Sequence, residues 1–181
     1  HAYEVQALVA TGQLTEADRD FLAARLLATL HAIEASKYSQ LADALVTIKL
    51  LDVLDRPCDV DSVRDSLHRT LVDFQNVRIR FGLPSGGFSI SRDLDSSDPL
   101  ATAAAVELME LVGIPAKVDV NALRSYLRPS QSDRLMMMQS VVRVATRQRL
   151  ESISGLRPIT WWDYLRYEQN LWMSLLVVLL C

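Results

Sequence analysis

Cysteine is scarce in this sequence. The only two, Cys58 and Cys181, are too few for a disulfide framework or a thiolate zinc site. Histidine is scarce too, with His31 and His68 standing alone inside the chain. Six glycines and six prolines supply little turn material, which favours long helices over many short strands. The formal net charge is −3 and no block of like charges occurs, so the basic footprint of a nucleic-acid partner is missing. No phosphate-cradling glycine loop, nucleophile elbow or metalloprotease signature is present, and no cofactor is expected. No secretory leader is visible at the start. His1-Ala2 reads as a foreign beginning, so the protein is expected to extend further in that direction.

What is there is apolar and periodic. Half of the 181 residues are hydrophobic and 23% are charged, which suits one folded domain over residues 1–181 with a real core. Thr15 and Asp18 have the spacing of a capping box and open a helix to about Glu34, with Phe21, Leu22, Leu26, Leu27, Leu30 and Ile33 as its apolar face. A second helix is expected from about Ser39 to Leu54, ended by Arg56-Pro57. A third starts near Asp59 or Asp61 and carries Val63, Leu67, Leu71 and Phe74. Turn residues then cluster from Phe81 to Phe88, in a loop continuing to Ser97. Asp98-Pro99 reads as an N-cap with proline in the first turn. The alanine-rich helix behind it stops at Gly113. Further helices are expected over Asp119–Leu127, about Ser132–Ile153 and Thr160–Cys181, seven in all.

The chain repeats itself. Leu41-Ala42-Asp43-Ala44 matches Leu100-Ala101-Thr102-Ala103, and Pro57 matches Pro115. Asp59-Val60-Asp61-Ser62-Val63-Arg64 matches Asp119-Val120-Asn121-Ala122-Leu123-Arg124. The two units, about 39–75 and 86–131, each read as apolar helix, proline turn, Asp-Val cap and amphipathic helix. One such pair leaves apolar surface that the next pair covers.

Within the second unit stand Gly86-Gly87-Phe88, Asp98, Thr102, Ala105, Leu108, Leu111-x-Gly113 and Val118-Asp119-x-x-Ala122-Leu123-x-x-Tyr126-Leu127. This stretch resembles a repeat of the protein prenyltransferase β-subunit and squalene/terpene cyclase superfamily, as a partial or degenerate member. The resemblance implies a Gly-Gly-Phe turn leading into an inner helix, then an outer helix, the pairs stacking into an α/α toroid. It covers Ser85 to about Gln131 well and Ser39 to Gln75 moderately. The family's chemistry does not carry over. Its zinc site uses Asp-x-Cys, whereas Cys58 here precedes Asp59. Its cyclases carry an acidic stretch before a Thr, whereas Thr102 follows Pro99-Leu100-Ala101. A complete toroid takes about five to seven helix pairs and this chain offers about three to four. The expected fold is therefore all-α, an incomplete α/α toroid or short helical-repeat array of about seven helices.

Asp93, Asp95 and Asp98 form the one acidic cluster. Its carboxylates suit a divalent cation, or Mg²⁺ beside a diphosphate. A solvated loop ending in a helix N-cap is the favoured reading, because the helix dipole also attracts an acid there. His31 and His68 read as structural histidines, and Met136-Met137-Met138 as part of a partly buried helix. No catalytic residue is assigned. The C-terminus is apolar throughout Leu171–Cys181, and Trp161, Trp162, Tyr164 and Tyr167 precede it among Arg157 and Arg166. This is the pattern of a membrane interface leading into an apolar segment. It is too short to span a bilayer, which takes about 20 residues, so it is either the start of a longer transmembrane segment or a terminal core or dimer helix. Arg143, Arg147, Arg149, Arg157 and Arg166 on its near side place the domain on the cytoplasmic face of a membrane. The function expected is that of a non-catalytic interaction or ligand-sensing domain of a larger, membrane-attached protein. Its partner would be a protein or a second copy, through the apolar C-terminal helix. A membrane and an apolar small molecule are further candidates. An isoprenoid-handling domain is the alternative.

Overall fold

A computed structural model describes residues 2–33, 41–77, 85–91, 93–94, 96–128, 137–153 and 156. Among these residues the chain is all-α, with seven helices and no strand. They are α1 (Ala2–Ala10), α2 (Glu16–His31), α3 (Leu41–Val53), α4 (Val60–Phe74), α5 (Pro99–Val112), α6 (Val120–Tyr126) and α7 (Met137–Ser152). The helix expected over Thr160–Cys181 lies outside the described residues. α1 takes its place in the count and was not foreseen, because no cap or turn residue marks its start.

Local chemistry explains most of the boundaries. The Thr15 hydroxyl accepts from the Asp18 N–H at 3.2 Å, and the Asp18 carboxylate accepts from the Thr15 N–H at 3.0 Å, a closed capping box at the head of α2. α3 unwinds through Leu54 into Asp55, whose φ of 57° is left-handed. Asp55 accepts an ion pair from Arg19 at 2.9 Å, and Arg56 reaches back to Asp20 and Glu16, so the end of α3 is tied to the start of α2. Asp59, Asp98 and Asp119 are the N-caps of α4, α5 and α6, and each accepts from N–H groups of the first turn.

The core sits around α3 and α5. Leu41, Ala44, Thr47, Ile48 and Leu51 of α3 are buried. α5 buries Ala101, Thr102, Ala104, Ala105, Val106, Leu108, Met109 and Val112, most of its circumference, which small alanines permit because neighbouring backbones can come close. α5 packs against α3, α4 and α7, while α3 packs in turn against α1 and α2. α4 is one-sided, with Val63, Leu67, Leu71 and Phe74 all essentially inaccessible, as its spacing predicts. α2 corrects the sequence reading. Leu30 and Ile33 are buried and Leu26 and Leu27 pack partly against the core, but Phe21 is 66% exposed. Phe21 lies about two and a half turns before Leu30, which puts it on the opposite side of the helix.

Candidate functional site

The acidic cluster takes part in the architecture. Asp98 Oδ1 accepts from the N–H groups of Leu100 at 2.9 Å and Ala101 at 2.8 Å, while the Asp98 N–H donates to the Phe88 carbonyl at 2.8 Å. Asp93 is exposed, its N–H 3.4 Å from Ser91 Oγ. Asp95 lies outside the described residues. Among the described residues no group of three His, Cys, Asp or Glu side chains could hold a metal ion.

The other residues singled out in the sequence are not brought together with it. His31 is exposed at the end of α2. His68 Nε2 lies 3.0 Å from the Val112 carbonyl and Arg64 Nε donates to the same oxygen at 3.1 Å, so two α4 side chains cover the last carbonyl of α5. Cys58 is half-buried in the α3–α4 turn, where burial first, then Asp59 and Asp52, push its thiol above the ordinary value and away from the reactive thiolate. Met137 and Met138 open α7, and Met136 and Cys181 lie outside the described residues.

The Gly-Gly-Phe turn is where the distant parts of the chain meet. Gln75 and Phe88, and Phe88 and Asp98, pair as isolated antiparallel bridges that lay the end of α4, the turn and the start of α5 side by side. The Gly87 N–H donates to Ser97 Oγ at 3.0 Å, and the Phe88 N–H to Thr102 Oγ1 at 2.9 Å. A Cβ on Gly86 would lie 2.3 Å from the Ala122 carbonyl oxygen, and one on Gly87 2.6 Å from the Tyr126 ring. Both glycines are needed because α6 presses its backbone and Tyr126 directly onto the turn. The Gln75 side-chain amide finishes the joint. It donates to the Asp119 carbonyl and accepts from the Asp119 N–H, both at 2.8 Å.

α7 is joined by charge. Arg124, 5% exposed, makes a two-pronged pair with Glu151 through Nε at 3.0 Å and Nη2 at 2.9 Å. Its Nη1 is buried with no hydrogen-bond partner among the described residues. Arg143 stacks over the Tyr126 ring at 4.6 Å. Burial pushes the Tyr126 phenol up, partly opposed by Arg143. On the other flank Arg149 pairs with Glu107 and Glu110 of α5, and Lys49 of α3 joins Glu107. None of these pairings was drawn from the sequence. Only the match of Arg64 with Arg124 hinted at them, and the two do similar work, each reaching from its helix to the end of the next one, α5 or α7.

An open groove of about 570 Å³ runs along α7, lined by Val144, Arg147, Gln148, Glu151 and Ser152. Val141 and Val144 are 67% and 39% exposed on the same helix. Comparison with known proteins finds no matching family model, no matching curated protein and no matching solved structure.

Proposed function

We propose that this chain is a non-catalytic interaction domain of a larger, membrane-attached protein, built as a short helical-repeat array with units over about 39–75 and 86–131. The observation that carries the non-catalytic part is the use made of Asp98 and His68. Both are bonded to the backbone at the ends of α5, where their roles are those of caps. The repeat arrangement is supported by the shared Asp caps of α4 and α6 and by the parallel reach of Arg64 and Arg124. Membrane attachment rests on the aromatic and apolar sequence of 161–181, on the cytoplasmic side by the arginine bias. No helix among the described residues is long and apolar enough to cross a membrane.

An isoprenoid-handling domain is the second reading. The fit of Gly86 and Gly87 against Ala122 and Tyr126 favours it, since the resembled superfamily places such a turn before an inner helix. One experiment separates the two. Farnesyl and geranylgeranyl diphosphate are incubated with the chain and Mg²⁺ or Zn²⁺, and inorganic diphosphate is measured. The non-catalytic reading expects none above the protein-free control. Release that scales with protein and is lost on Asp93→Asn would overturn it.

A further inference from the structure

α7 has two faces. Thr146 and Leu150 are 5% and 0% exposed and Val142 is half-buried, which sets one stripe against the core. Val141, Val144, Ala145 and Gln148 recur at three- and four-residue spacing on the opposite side and are all exposed. The helix cannot turn to hide them, because Leu150 and the Arg124–Glu151 pair lock its rotation. Its charge is also one-sided. α7 carries Arg143, Arg147 and Arg149 against Glu151 alone, and Glu151 is neutralised by Arg124. Arg149 is matched by Glu107 and Glu110, so Arg147, half-buried in the open groove beside Val144, is the α7 cation left to the groove's solvent side. The sequence that follows α7 brings Arg157, Trp161 and Trp162 before the apolar run.

From this we propose that the outward face of α7 rests on an anionic lipid surface. Val141 and Val144 would enter the acyl boundary, and Arg147 would meet lipid phosphate and carboxylate groups. An interfacial helix combines an apolar stripe with flanking cations in this way, and each cation near an anionic leaflet strengthens binding about fivefold. The inference rests on the membrane-attached reading above and adds which surface faces the lipid. A second copy of the chain is the competing occupant. It is less favoured because a parallel copy would set Arg147 near Arg147, and Glu151 is already occupied by Arg124.

The test is flotation of the whole 181-residue chain with phosphatidylcholine vesicles, with and without phosphatidylserine. Phosphatidylserine should increase the bound fraction, and added salt should remove the increase. Arg147→Gln should weaken partitioning to the anionic vesicles about fivefold. The pair Val141→Ser with Val144→Ser should weaken it to both kinds. All these side chains are at least partly exposed, so an unchanged melting temperature verifies that the variants fold. Phe21→Ser, on an equally exposed apolar residue of α2, should change nothing. Equal binding to both vesicles with no effect of Arg147→Gln overturns the role of α7 while leaving membrane attachment standing. Failure to float with either overturns both. A loss on Phe21→Ser as large as that of the valine pair means general stickiness and overturns the assignment to α7. A change of oligomeric state in the valine variant, without a change in flotation, gives the face to a second copy and overturns the lipid assignment.

Discussion

A methyl group at Gly86 would meet the Ala122 carbonyl oxygen at 2.3 Å and its carbon at 2.8 Å, at a residue whose φ is +99°. The turn is held by the bridges of Phe88 to Gln75 and Asp98, and the start of α6 is held to the same joint by the Gln75–Asp119 bonds, so neither side yields freely. Gly86→Ala should therefore lower stability by about 2–4 kcal/mol, from backbone strain and overpacking together, read as a fall in the denaturant midpoint. Gly12 has a similar φ of +66° but nothing near its added Cβ, so the same change there should cost clearly less. Tyr126 gives a pH dependence. Burial holds its phenol neutral and raises its folded pKa above the unfolded one. The stability tied to it is then fully present below the unfolded value, about 10, and is lost as pH rises through the folded value. Alkaline unfolding should be steeper in the native protein than in Tyr126→Phe, which keeps the ring under Arg143. Equal pH slopes for the two proteins would show that Tyr126 does not couple to folding.

At the scale of elements, α5 is the helix whose small side chains matter most. Ala105 is wholly buried and lies on a helix with neighbours on three sides. Ala105→Leu should overpack it and cost about 1–3 kcal/mol, seen as a lower melting temperature. An unchanged value would mean that α5 has slack against α3, α4 and α7. Much of α5 was legible in advance. Asp98, Pro99 and Gly113 mark its ends by chemistry that acts within a turn, and the Thr15–Asp18 box marks α2 in the same local way. The apolar stripe of α4 was legible for the same reason. Two things were not. α1 carries no such marker, and Phe21 looked like part of a face because hydrophobicity alone does not say which side of α2 the core will occupy. The joints at Gln75–Asp119 and Arg124–Glu151 were invisible, since each links residues far apart in sequence with no shared periodicity.

For the molecule as a whole, stability should be graded outward from the α3–α5 contact. None of residues 4–10 of α1 is buried, whereas most of α5 is. Amide hydrogen exchange should find α1 opening at little cost, and the centre of α5 exchanging only on global unfolding. Comparable protection of both helices would mean one cooperative unit with no soft end. The acidic cluster belongs to the same picture. Asp98 is the N-cap of α5 and is held against the Gly-Gly-Phe turn through the Phe88 carbonyl, so this acid fastens turn to helix.

The Gln75 amide joins residues 44 positions apart through one rotatable side chain, and it can close only when α4 has ended and α6 has been capped. It should therefore form late in the order of assembly. The loop it closes must already have lost most of its freedom through other contacts before two hydrogen bonds can reward the remainder. A contact made after the rate-limiting barrier governs how long the native state lasts, and hardly affects how fast it forms. Gln75→Leu should thus leave the refolding limb of a stopped-flow chevron nearly unmoved while steepening escape from the native state about tenfold, the equivalent of roughly 1.4 kcal/mol. Slower refolding instead would make this amide part of the nucleus, and would give a single glutamine control over the lifetime and the birth of the fold alike.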